Sequence, residues 1–230
     1  MSTAVAQGRM RALSTTGLIM PRHFCAAIAL ALTASAASAA DSPLLPADQA
    51  VAGASQSNWS RSWWQWAASF DNAGSPVSDR TGARCGAGQQ GAVWFLAGTY
   101  GRQRTVRTCT VPAGKYLFFP LINYVAAPEP GTALSCSAVM DDARETIDDV
   151  TDLVLRIDGK VQAGLQEHRV ASQGCFDLGA RRAQPGPKVP SAGDGYYVML
   201  APLPPGTHKV EFGGRLQDMT QAITYTLQVR

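Results

Sequence analysis

The side chains with the clearest capacity for chemistry are two histidines and a few acids. Beyond residue 40 the histidines are His168 and His208, and the acids that fall in Gly/Pro-rich stretches are Asp79, Glu129 and Asp194. Such groups do general acid–base work or hold metals only if the fold brings them together. A glycosidase needs two carboxyls at a fixed gap, and these three acids lie on segments free to converge. His208 is in phase with Val210 and Phe212, which predicts a ring at the core's edge with hydrogen-bond partners. His168 follows Glu167 and lacks the second histidine of a zinc-peptidase helix.

Familiar motifs fail on inspection. Gly86 and Gly91 have phosphate-loop spacing, but Ala92 and Val93 follow where Lys and Ser/Thr are needed. No G-x-S-x-G nucleophile elbow occurs. Asp79-Arg80-Thr81-Gly82 reads as a capped turn. The acids around Asp141, Asp142, Glu145, Asp148 and Asp149 lack EF-hand spacing and read as a solvated helix face. No metal site and no cofactor are expected.

Charge and cysteine usage set the compartment. The chain has 20 Lys+Arg against 17 Asp+Glu. The first forty residues hold Arg9, Arg11 and Arg22 and no acid, so residues 41–230 are balanced at 17 against 17. No net positive field remains to attract nucleic acid. Residues 1–40 read as a secretory signal. Arg22 and His23 precede the apolar run 24–32, and small residues at 37–40 fit a cut near Ala39 or Ala40. Met20 offers a second start. The run is shorter than the roughly 20 residues a membrane span needs, so no span is expected in the mature chain. Residues 41–230 are expected to form one domain, secreted or periplasmic.

Cys85, Cys109, Cys136 and Cys175 remain after the signal. Four cysteines in an exported chain predict two disulfides with three connectivities open. The sequential pairing, Cys85–Cys109 and Cys136–Cys175, is the one carried forward.

The elements that must position these groups follow from periodicity. Trp59, Trp63, Trp66 and Phe70 recur on one helical face and predict a helix over 58–70, capped by Ser57 or Asn58. Trp64 lies off that stripe and is free for another task. A second helix is predicted over 137–150, with Val139, Met140, Ala143, Ile147 and Val150 on its apolar face. Strands are predicted at 93–97, 105–111, 116–122, 153–157, 196–200, 208–212 and 223–229, with a weaker one in 161–172. Pro120 marks a strand end or bulge. Asp158-Gly159 predicts a two-residue hairpin, and Gly114 a three-residue hairpin between 111 and 115. These elements predict a mainly β chain: an antiparallel β-sandwich, Ig-like or jelly-roll-like, with an N-terminal Trp-rich helix and one inserted helix.

Three segments, 71–90, 123–135 and 178–195, read as long loops. They carry Asp79, Arg80, Asn123, Tyr124, Glu129, Arg181, Arg182 and Asp194. Long loops in compact domains often carry function. The ligand-binding candidates are therefore Trp64, Asp79, Arg80, Asn123, Tyr124, Glu129, Asp194 and Tyr196, with Tyr197 a further aromatic.

Several motifs are specific as a set. They are Trp59-x3-Trp63-Trp64-x-Trp66, Asp79-x-Thr81-Gly82-x2-Cys85, Gly91-x-Val93-Trp94-Phe95-Leu96-Ala97-Gly98-Thr99, Val111-Pro112-Ala113-Gly114-Lys115-x-Leu117-Phe118-Phe119-Pro120-Leu121-Ile122-Asn123, Asp194-Gly195-Tyr196-Tyr197 and Leu203-Pro204-Pro205-Gly206-Thr207-His208. With them the chain resembles a broad group of exported bacterial proteins. The resemblance implies export and a single domain and supplies no catalytic residue. Three functions follow as expectations: noncatalytic binding of an extracellular glycan or envelope component, a secreted hydrolase or lyase with its site in the loops, or an envelope assembly or inhibitor protein.

Overall fold

The Trp-rich segment does form a helix, and its cap sets its start. In the computed structural model, which describes residues 42–100, 103–129, 131–184, 186 and 188–230, α1 runs from Gln56 to Ala67. Ser55, not Ser57 or Asn58, is the N-cap and accepts from the Asn58 N–H at 3.3 Å. The signal-peptide reading lies outside the described residues. No described helix is long and apolar enough to cross a membrane.

The strands are β1 (Leu44–Leu45), β2 (Val93–Phe95), β3 (Thr105–Val111), β4 (Tyr116–Ala126), β5 (Val150–Ile157), β6 (Lys160–Val161), β7 (Phe176–Asp177), β8 (Pro190–Leu200), β9 (Gly206–Leu216) and β10 (Met219–Val229). Helix α2 (Cys136–Asp148) precedes β5, and a 3₁₀ turn spans Leu165–His168. One sheet has the order β1-β8-β4-β2, with β7 also on β8; the other has the order β3-β10-β9-β5-β6. Among the described residues the result is a β-sandwich with two α-helices attached.

The expected all-antiparallel pairing is corrected at two places. β2 runs parallel to β4, and β3 runs parallel to β10. The cause is the connection at 112–115. It was expected to close a hairpin, yet β3 and β4 belong to different sheets. Gly114 does take a positive φ of 79°, but it carries the chain across the sandwich rather than back beside itself. The Asp158-Gly159 turn is a true hairpin, with φ values of 49° and 81° joining β5 to β6.

The first sheet is buried on both faces, which explains the continuous apolar run of β4. Between the sheets pack Phe119, Leu121, Val198, Leu200, Phe212, Tyr225 and Leu227. On the other face α1 lays Trp63 and Trp66 against Phe95, Phe118, Tyr197 and Met199. Pro120 costs the ladder a donor, and the β4–β8 register shifts between Pro120 and Ile122. The Gln221 side chain donates to Pro120 O and Leu121 O there, at 2.8 Å each.

Exposed strand edges invite unwanted pairing, and two are covered. The Gln89 side-chain amide pairs with Phe95 as a strand would, donating to its carbonyl at 2.8 Å and accepting its N–H at 2.9 Å. On β3, Thr108 N–H donates to Thr81 O at 2.9 Å. That contact requires Gly82, where φ is 91° and a Cβ would lie 2.2 Å from Thr108 O. The sulfurs join Cys85 to Cys109 and Cys136 to Cys175, the sequential connectivity. The first pins this covering segment to β3. The second ties α2 to the stretch before β7.

His208 closes the sandwich edge. Its Nδ1 meets Asp158 Oδ2 at 2.8 Å and its Nε2 meets Pro204 O at 2.9 Å. Both partners are acceptors, so the arrangement favours the doubly protonated ring. Burial works against that charge, but the Asp158 and Pro204 bonds outweigh it and hold the imidazole above its ordinary value. Asp158 is disfavoured by burial too, yet His208 and the Lys209 N–H hold it below the usual carboxylate range. The histidine's stabilisation is complete below its unfolded value near 6.5 and fades as pH rises through the raised folded value. The aspartate's is complete above about 4 and fades as pH falls through the lowered folded value. The pair therefore contributes most between about pH 4 and 6.5. Asp158 is 45% exposed, so the contribution stays under about 1 kcal/mol. His208→Gln should cost more stability in urea melts at pH 5 than at pH 9; equal losses would contradict this assignment.

Candidate functional site

Three expected candidates come together through α1 and β4. The β4 strand extends to Ala126, so Asn123 and Tyr124 lie on it and not in a loop. They pair with Gly195 and Asp194 of β8. Asn123 Nδ2 donates to the Tyr197 hydroxyl at 3.0 Å. Tyr197 is fully buried and stacks on Phe118 at 5.4 Å. Burial pushes its phenol well above the ordinary value, tempered by Asn123 and by the nearby Trp64 indole.

Trp64 is 8% exposed, so it is not the free stacking platform expected. Its helix neighbours explain the difference. The indole N–H groups of Trp59, Trp63 and Trp66 donate to Val51 O, Leu96 O and Ala87 O at 3.0, 3.0 and 2.9 Å. Trp64 Nε1 is buried without a hydrogen bond of normal geometry. It abuts Gly193, where a Cβ would come within 3.0 Å of it.

Trp64, Asn123 and Tyr124 line one groove of about 510 Å³. Phe70 and Tyr100 add aromatic surface, and Asn72, Ser75, Ser78 and Arg182 add polar groups. Tyr100 is 65% exposed and Tyr124 half-buried. Burial, then the facing Asp142 carboxylate, raises the Tyr124 phenol above its usual range. A concavity of this size, apolar with a few placed polar groups, is the usual form of a small-molecule site. A second hollow of about 460 Å³ lies over β5, β9 and β10. Four of the five charged side chains that line it pair, Arg104 with Glu211 at 3.5 Å and Arg215 with Asp152 at 3.6 Å, and Arg156 is the fifth.

The remaining candidates are not among the groove's lining residues. Asp79 is buried and caps its own turn, accepting from the N–H groups of Thr81 and Arg84 at 2.9 and 2.8 Å. Burial disfavours its charge, but the Arg84 and Thr81 bonds and the nearby Arg107 charge hold its carboxyl below the usual range. Arg80 and Glu129 are exposed. Tyr196 packs against the core between the sheets.

Asp194 corrects the expected 178–195 loop. The strand β8 begins at Pro190, and Asp194 is buried within it at 3% exposure. Asp194 Oδ2 accepts from Arg169 Nη2 at 2.9 Å, and Arg169 Nη1 reaches Asp148 Oδ1 at 2.6 Å. The Asp194 bond leads in holding the guanidinium above its ordinary value, burial opposing and Asp148 adding to it. This network locks α2 to β8. His168 is buried in the 3₁₀ turn with Nδ1 unpartnered, and burial holds its ring below the ordinary value. His208, Asp194, Asp79 and His168 thus serve separate local arrangements. Among the described residues no group of three or more His, Cys, Asp or Glu could hold a metal ion.

Sequence reasoning missed Asn72, Ser75, Ser78 and Tyr100. Asn72, Ser75 and Ser78 sit in the irregular stretch after α1, where no periodicity marks a facing direction. Tyr100 had one signal, an aromatic directly after the Gly98-Thr99 end of an apolar run.

No protein-family model matches the chain, and no curated protein does. Among solved structures the chain is similar to one from the structure of PbICP-C in complex with falcipain-2. That match has 11% identity and a TM-score of 0.25, over 61% of this chain and 100% of the other. A likeness at that level carries no argument about fold or function.

Proposed function

We propose that the protein is exported and that its groove binds a carbohydrate without transforming it. The observation that carries this reading is the composition of the lining. Phe70, Tyr100, Tyr124 and Trp64 stand beside Asn72, Asn123, Ser75 and Ser78. Sugars present C–H faces that pack on aromatic rings and hydroxyls that bond to amides and hydroxyls. The described lining residues include no carboxylate, imidazole or thiol. The phenols of Tyr100 and Tyr124 are the acid–base groups among the described lining residues, and phenols stay protonated near neutral pH, so no ready general base stands there, which favours binding over turnover. Export rests on the secretory reading of residues 1–40 and fits the two disulfides, which persist in oxidising compartments.

Isothermal titration of the oxidised protein against neutral and acidic oligosaccharides tests the reading. Saturable binding is expected, weakened about fivefold to tenfold by Tyr100→Ala through loss of roughly 1 kcal/mol of stacking. Absence of binding across the panel at millimolar sugar, or unchanged affinity in Tyr100→Ala, would remove it.

A further inference from the structure

The described lining of the groove carries a single kind of charge. Arg182 is the one charged side chain among its described lining residues. Its Nε donates to Ala68 O, at the C-terminal end of α1, at 3.1 Å. That bond satisfies a terminal helix carbonyl and fixes the guanidinium plane. Among the described residues neither Nη atom has a hydrogen-bond or ion-pair partner. The two Nη groups form the end-on fork that matches the two oxygens of a carboxylate.

The surroundings agree with an anion at this place. Arg182 also lines an adjoining hollow of about 170 Å³, which shares Leu178 with the groove. Asp177 lines that hollow, yet its Oδ1 accepts from Gly179 N–H at 2.9 Å and it forms no ion pair with Arg182. The Asp142 carboxylate faces the Tyr124 hydroxyl, and neither it nor Asp71 nor Asp218 is a lining residue. Beyond residue 40 the chain has no net charge, so attraction of an anion here is local to Arg182.

We propose that the groove is specific for acidic carbohydrate, with a uronate-type carboxylate seated on the Arg182 fork. This rests on the carbohydrate reading above and names its substrate class. The aromatic rings hold the sugar faces, and Arg182 selects the charged ring over a neutral one.

The test uses matched pairs, trigalacturonate and a hyaluronan tetrasaccharide, each as free acid and as carboxyl methyl ester. The ester keeps the skeleton and removes the charge. Calorimetry on the oxidised protein should show each acid binding at least tenfold more tightly than its ester. Arg182→Gln should bring that ratio to within twofold of one by weakening the acid far more than the ester. Arg182→Lys, which keeps a charge without the fork, should fall between. Equal binding of acid and ester to the unaltered protein overturns acid selectivity alone and leaves carbohydrate binding standing. Failure of both acids and both esters overturns the carbohydrate reading, and acid selectivity falls with it.

Discussion

Arg107→Met is expected to cost at least about 4 kcal/mol of folding stability. Arg107 is 1% exposed, on the inward face of β3. Its Nε donates to Asp79 O at 2.7 Å, its Nη2 to Val77 O at 3.0 Å, and its Nη1 to Ala97 O, Gly98 O and the Tyr225 hydroxyl at 2.7, 3.0 and 3.1 Å. The guanidinium also lies 5.5 Å from the Tyr225 ring centre. Methionine fills similar volume and removes the cost of burying a charge. It leaves Val77 O, Asp79 O and Gly98 O without that donor, while Ala97 and the Tyr225 hydroxyl keep their bonds to each other, and each buried acceptor so orphaned costs about 1–3 kcal/mol. Entering water recovers part of the sum, so the loss sits near the lower end. A domain with about 5–15 kcal/mol in hand would be left marginal. Lysine has three donors and no plane, so Arg107→Lys should recover less than half of the loss. Urea unfolding followed by tryptophan fluorescence measures both; a loss under 1 kcal/mol for Arg107→Met would refute this role. The groove depends on the same residue, because Ser75, Ser78 and Tyr100 lie on the two loops it ties together.

That role was hard to read from the chain. Thr105-Val106-Arg107-Thr108-Cys109-Thr110-Val111 looks like a strand, but residue type alone puts Val106 inside and Arg107 outside. The structure reverses this, with Val106 59% exposed. The phase is set by Cys109 and Val111, which are core residues, and an inward arginine is tolerable only where carbonyls converge. Nothing local announces such convergence, since the acceptors come from residues 77, 79, 97 and 98 and from β10. The same limit hid the crossover at Gly114. A left-handed glycine fixes the local turn, whereas the choice between hairpin and crossover belongs to tertiary packing.

Other features were legible because their cause is local. The tryptophan spacing gives α1 its buried face, Asp158-Gly159 gives its hairpin, and Pro120 gives its bulge. Asp194 was not legible for the opposite reason. Pro190, Gly193 and Gly195 mimic a loop, yet they stand in β8. Gly193 makes room for Trp64, and at Gly195 a Cβ would come 2.6 Å from Asn123 Cβ. Small residues there record close approach, not flexibility. Of the sequence candidates, Trp64, Asn123 and Tyr124 line the groove, whereas Asp79, Glu129 and Asp194 are not among its lining residues. Asp79 and Asp194 have buried partners of their own, and their perturbation serves the scaffold.

The second large effect separates two tryptophans of α1, Trp64 and Trp66. Trp66 is fully buried, with ring contacts to Trp63, Phe70 and Phe95 at 6.0, 6.0 and 5.5 Å, and it donates to Ala87 O. Trp66→Ala should cost about 4–6 kcal/mol, the cavity supplying about 3–5 and the lost bond about 1. Trp66→Phe restores most of the volume but orphans Ala87 O, so a loss near 2 kcal/mol is expected. Trp64→Phe is the informative control. It also shrinks a buried indole, but no hydrogen bond of normal geometry is lost, because Trp64 Nε1 only lies near the Tyr197 hydroxyl. Its loss should stay near 1 kcal/mol. Equal losses for Trp64→Phe and Trp66→Phe would mean that the bond to Ala87 contributes nothing and that ring volume alone holds α1 to the sheet. A clear gap between them would show that the Trp66 N–H bond to Ala87 O helps fasten α1 to its neighbouring loop. Trp64, which makes no such bond, would then be the tryptophan of α1 whose alteration can be read at the groove without unfolding the protein.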